Sequence, residues 1–84
     1  MALYLVITFR TPQFQSAVID DHYAFLDRLR KQGQIALAGP FTDRSGGAYV
    51  LQVANRQEAE AVAFRDPLHT SGSSVVTVHE WQAK

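Results

Sequence analysis

The sequence predicts an α+β fold of the ferredoxin-like kind, with elements in the order β-α-β-β-α-β. Two observations carry that prediction. The apolar period switches between two residues and about 3.6 residues several times along the chain, and Gly or Pro residues fall at several of the switches. Such an order gives a four-stranded antiparallel sheet with two helices on one face.

Leu3 to Phe9 reads as the first strand, rich in β-branched and aromatic residues, and Thr11-Pro12 breaks it. From Phe14 to Gln32 the period is helical, with Val18, His22, Phe25, Leu26 and Leu29 on one stripe. Gly33 is the natural residue just past that helix, and Arg28, Arg30 and Lys31 suit the negative end of its dipole. Ile35 to Phe41 is the second strand, interrupted by Gly39-Pro40. Ser45-Gly46-Gly47 reads as a hairpin turn, and Ala48 to Val53 is the third strand. Asn55 followed by Glu58 has the form of a helix start. That second helix carries Ala59, Val62, Ala63 and Asp66 on one stripe, and Pro67 ends it. His69 to Ser74 is a polar loop, and Val75 to Trp81 is the last strand.

Composition narrows the function classes. A chain of 84 residues reads as one domain, and at this size folding buries only about 60 to 65 per cent of the chain's surface. With no cysteine there is no disulfide, no thiol chemistry and no zinc ribbon. Eight Lys and Arg balance eight Asp and Glu, so no basic excess points to nucleic acid. No apolar run nears the ~18 residues of a membrane span. The N-terminal segment reads as a strand rather than a signal peptide, so the expected compartment is the cytoplasm. Leu3, Leu5, Ile7 and Phe9 alternate with Tyr4 and Val6, which makes the first strand apolar on both faces. Two helices cover one face, so a second copy is expected on the other. The expected contact of that homodimer is sheet to sheet, through outward residues such as Tyr4, Val6 and Thr77.

His22 sits within an apolar stripe, and Asp66 ends the equivalent stripe of the second helix. Both helices press one sheet face, so the two side chains point toward a common seam. A His oriented by a carboxylate is the minimum apparatus of general acid–base catalysis. The plainer readings are a mutually satisfied pair, or Asp66 capping a turn before Pro67. Pro40 marks an edge or a bulge, and Gly39 lets a backbone or ligand approach. His69 and His79 lack the spacing of a metal motif, so no metal and no cofactor are expected. No GxSxG nucleophile is present.

His22-Tyr23-Ala24-Phe25-Leu26, Gly33, Leu37-Ala38-Gly39-Pro40, Gly46-Gly47, Asp66-Pro67 and Val78-His79-Glu80-Trp81 together resemble the YCII-related (YciI-like) family, in order and over nearly the whole chain. The resemblance implies a ferredoxin-like fold that dimerises in the manner of dimeric α/β-barrel proteins. It also implies a His–Asp catalytic pair in a pocket between helices and sheet, here His22 and Asp66. Gly39, Pro40 and Pro67 are the expected substrate contacts. One relative dehydrochlorinates a chlorinated hydroxyhydroquinone, which implies proton transfer on a small cyclic or aromatic molecule. The expected function is thus a cofactor-free enzyme of the lyase or isomerase kind. The alternatives are a non-catalytic small-molecule-binding or accessory dimer, and a metal-binding protein using His22, Asp66 and one further group. Two positions depart from the family pattern: Ile19 replaces a common Arg, and Leu68 replaces a common aromatic residue. An altered or lost substrate preference is the expected consequence, and the dehydrochlorinase activity is not carried over to this chain.

Overall fold

The computed structural model describes residues 2–84. Its elements are β1 (Ala2–Arg10), α1 (Val18–Lys31), β2 (Ile35–Pro40), β3 (Gly46–Val53), α2 (Arg56–Ala63), α3 (Pro67–Thr70) and β4 (Ser74–Trp81). The strands form one antiparallel sheet in the order β2-β3-β1-β4. This is the expected β-α-β-β-α-β order with one short helix, α3, inserted before the last strand. No helix among the described residues is long and apolar enough to cross a membrane.

The sheet presses its Tyr4, Val6, Tyr49, Leu51, Val53 and Val76 face against Phe25, Leu26 and Leu29 of α1 and Ala59, Val62 and Ala63 of α2. The expected outward placement of Tyr4 and Val6 is therefore reversed: they are 3% and 0% exposed. Leu3, Leu5, Ile7 and Phe9 form the other face, with Thr77 opposite Ile7 as expected for an outward residue. Alternation fixes which residues share a face, but in a strand apolar on both sides it does not say which face meets the helices. Thr8, a polar residue that would suggest an outward face, is instead buried with its hydroxyl satisfied. It lies on the Tyr4–Val6 side, 3% exposed, and its hydroxyl exchanges hydrogen bonds with the Gly47 backbone N–H and C=O at 3.2 and 3.3 Å.

α1 begins at Val18 rather than Phe14. The preceding residues are held in turns, Phe14 N–H to Thr11 C=O and Val18 N–H to Gln15 C=O, and Gln15 N–H donates to Ser73 Oγ. The helix ends as expected. Gly33 has φ +72°, and the N–H groups of Gly33 and Gln34 return to the carbonyls of Arg30 and Leu29, which satisfies two otherwise open carbonyls.

The β2–β3 connection corrects a second expectation. Gly46 and Gly47 are not turn residues but the first two positions of β3. A Cβ on Gly46 would meet Thr8 O at 1.7 Å, and one on Gly47 would meet Gly39 O at 2.7 Å. Close backbone approach, not φ, demands glycine here. The turn itself is made by Asp43, whose carboxylate accepts the Ser45 N–H at 2.9 Å, and by Arg44 at φ 64°. Hydrogen bonds from Ser45 hold the Asp43 carboxyl below the usual carboxylate range. Pro40 does not interrupt β2 but closes it, because β2 is an edge strand with one side free of ladder bonds.

α2 starts as expected, with Asn55 Oδ1 accepting the Glu58 N–H at 2.9 Å. It ends at Ala63, however, and Pro67 opens a helix instead of closing one. Proline suits the first helical position, where its missing N–H has no intrahelical partner to lose. Asp66 is accordingly the N-cap of α3 and not the last residue of the α2 stripe.

Candidate functional site

Asp66 is the centre of the site and is 0% exposed. Its Oδ1 accepts the Leu68 N–H at 2.9 Å, as an N-cap should, and meets His22 Nδ1 at 2.9 Å. Its Oδ2 accepts the Tyr49 hydroxyl at 3.1 Å. An ionised Asp66 carboxylate can only accept, so with Leu68 N–H and His22 sharing Oδ1, Nδ1 is the atom that carries the hydrogen. The imidazole is then oriented with Nε2 left for the solvent side. One residue thus closes a helix start, orients a histidine and satisfies a buried phenol.

The sequence places each member by ordinary local rules. His22 lies one turn before Phe25 and Leu26 on the buried stripe of α1, its side chain 14% exposed. Tyr49 lies on β3 between helix-facing neighbours and is 2% exposed. Burial and the adjacent Asp66 charge push its phenol far above the usual tyrosine range, so it serves as a hydrogen-bond donor throughout the ordinary pH range. Its ring also packs edge-on against Phe25 and at 6.2 Å from the His22 ring.

His22 and Tyr49 open onto a cleft of about 240 Å³ between α1 and the β2–β3–β1 end of the sheet. Gly39 and Pro40 line it, together with Ile19, Tyr23, Ala48 and Leu68. Pro67 does not line it; its part is to set the start of α3 and so the direction of Asp66. His69 does not line the cleft either; its side chain is exposed, with its ring tilted against Phe64 at 4.7 Å between centroids. His79 lies on the open sheet face, bonded to Thr77 Oγ1 at 3.0 Å. Among the described residues no group of three or more His, Cys, Asp or Glu gathers as a metal site would require. Nothing in the spacing marks Tyr49 as a site residue. Its one signal in the sequence is a phenol at an inward strand position, where the hydroxyl needs a partner.

The fold and this cleft define an α+β protein of the ferredoxin-like type, with a buried His–carboxylate pair beside an open cleft. The chain belongs to the YCII-related domain family, whose model matches residues 2–82. It is similar to the uncharacterised protein YjpA of Bacillus subtilis, at 43% identity over 84 residues, covering 100% of this chain and 99% of that protein. Among solved structures it is similar to 5-chloro-2-hydroxyhydroquinone dehydrochlorinase (TftG) from Burkholderia phenoliruptrix in complex with 2,5-dihydroxybenzoquinone. That likeness has a TM-score of 0.76 at 20% identity and covers 98% of this chain and 95% of that one. At such identity it establishes the shared fold.

Proposed function

We propose that the protein is a small enzyme that moves a proton on a small cyclic or aromatic metabolite, with His22 as general acid–base and Asp66 as the residue that positions it. The observation that carries this reading is the join of two features in one place: a His held through Nδ1 by a buried carboxylate, and an open cleft against its other side. A purely structural pair has no need of the cleft. Nε2 takes a proton from an acidic C–H or O–H, and the imidazolium that forms is stabilised by Asp66 before it returns the proton at a second position or to a leaving group. Asp66 keeps its place during that cycle because Leu68 N–H and Tyr49 O–H hold both its oxygens. The cleft is smaller than a drug-sized site, which favours a compact ring. The quinone bound by TftG, a protein of the same fold, agrees with a ring of that size. Gly39 and Pro40 form the wall against which it rests, and no cofactor enters a reaction of this type.

Solvent-deuterium exchange tests the reading even while the product is unidentified. Phenols, hydroxyquinones, lactones and short carboxylic acids are incubated with the protein in D2O and followed by NMR and mass spectrometry. At least one should exchange a carbon-bound hydrogen or convert, and His22→Ala should slow that by about 10²- to 10⁴-fold, the usual contribution of a general acid–base. A rate equal in His22→Ala, with the variant folded, makes the cleft a binding site and the protein an accessory one.

The second copy belongs to the same proposal. Leu3, Leu5, Ile7 and Phe9 of β1, Leu37 of β2 and Val75 and Trp81 of β4 share the face away from the helices. Phe9, Leu37, Val75 and Trp81 are exposed there. An apolar face of this extent on so small a protein is the mark of a covered surface, and a sheet-to-sheet homodimer covers it.

A further inference from the structure

We infer that the cleft is built for a small ring acid bound as its anion, with the charged group on Arg10 and Ser74 and the ring toward His22; the inference rests on the cleft being the substrate site. Two independent observations lead to it, the charge of the cleft's lining and an unpaired buried hydroxyl. The charged residues that line the cleft are Arg10 and Arg30, and no Asp or Glu is among its lining residues. The ion pairs among the described residues are His22–Asp66 and Lys31–Asp27, so no carboxylate neutralises either arginine. In a chain of zero formal charge, a cleft with two free cations and no carboxylate lining it is a selective feature.

Ser74 is the second, independent sign. It is 6% exposed, lines the cleft, and its Oγ is a buried polar atom with no hydrogen-bond partner. A buried hydroxyl left unpaired costs stability unless something arrives to meet it. Arg10 and Ser74 are direct cross-strand partners at the end of β1 and β4, on the helix-facing side that Thr8 also occupies. Their side chains therefore emerge together. The Arg10 guanidinium is set over the Phe14 ring at 4.1 Å from the centroid, which orients it without using its N–H donors. A guanidinium fork beside a hydroxyl donor matches the two oxygens of a carboxylate or the single oxygen of a phenolate. Ile19 lines the same cleft and is apolar, so the cleft's positive charge comes from Arg10 at the end of β1 and Arg30 near the end of α1.

The test uses benzoate, para-nitrophenolate and the uncharged benzamide, titrated into isotope-labelled full-length protein while the amide signals of cleft residues are followed. An anion should bind at least about tenfold more tightly than benzamide, the size of one charge-assisted contact. The preference should vanish in Arg10→Gln and weaken several-fold in Ser74→Ala, both checked for an unchanged fold by their spectra. Whichever of the two anions binds more tightly identifies the charged group. Equal binding of anions and benzamide, a preference that survives Arg10→Gln, or no saturable binding of either anion at millimolar concentration overturns the inference. The same titration in His22→Asn separates it from the catalytic proposal. An anion preference that persists there, with no His22-dependent exchange in D2O, keeps the anion site and removes the chemistry.

Discussion

Asp66 receives three hydrogen bonds and lies wholly out of water, so its neighbours and not solvent support its charge. Tyr49 is the neighbour whose loss is most informative. Tyr49→Phe removes one bond to a buried carboxylate while keeping the ring, and should cost about 1.5 to 3 kcal/mol by chemical denaturation. It also has a pH signature. The folded-state phenol titrates above the unfolded value of ~10. Above that value the unfolded chain releases the proton first, so the contribution of Tyr49 is complete below pH ~10 and is lost as pH rises further. Wild-type stability should therefore fall more steeply than that of Tyr49→Phe between pH ~10 and ~11, and parallel curves would contradict the buried bond. At this scale His22 is legible in the sequence because a polar residue interrupts an apolar stripe. Asp66 is legible as a partner but not as a cap, since its stripe spacing and its place before Pro67 point to different elements. Arg10, Ser74 and Tyr49 come from three strands, and their convergence depends on strand order and register that periodicity does not contain.

The elements owe their positions to a few backbone contacts that side-chain patterns do not display. Strand β3 reaches β1 and β2 closely at its first two residues because both are glycine. Gly46→Ala places a methyl carbon within bonding range of the Thr8 carbonyl and forces β1 and β3 apart. A loss of about 3 kcal/mol or more is expected, beyond ordinary overpacking, and the amide signals of Thr8 to Arg10 should shift with it. A Tm within a degree of wild type would show that the approach is not as close as described. Two adjacent glycines after Ser45 read naturally as a turn, and only the pairing of Phe9 with Gly46 and Thr8 with Gly47 reveals them as strand. Pro67 is similar: the same residue ends one helix in a pattern and begins another in space, and the short α3 it starts has no period long enough to detect.

For the molecule as a whole, the order of elements is the most legible property, because each change of apolar period survives small errors at its ends. The orientation of β1 is the least, since both of its faces are apolar from Leu3 to Ile7 and the polar Thr8 lies on the face that is buried. The correction strengthens the case for a second copy: the outward set Leu3, Leu5, Ile7 and Phe9 is more apolar than the one containing Tyr4. Sedimentation at micromolar concentration should show a dimer, and a charge placed at Leu5 or Ile7 should shift it to monomer with the helix content retained. A wild-type monomer at that concentration would rule out the sheet-to-sheet contact.

The proposed chemistry depends above all on Asp66 holding His22 with its hydrogen on Nδ1, so that Nε2 is free to exchange a proton with a molecule in the cleft. Nitrogen-15 NMR of the His22 ring, recorded at a pH where the imidazole is neutral, reads this directly. A protonated Nδ1 and a bare Nε2 are expected, with the Nε2 signal responding when a cleft ligand is added. A hydrogen found on Nε2, with Nδ1 bare against the carboxylate, would contradict it.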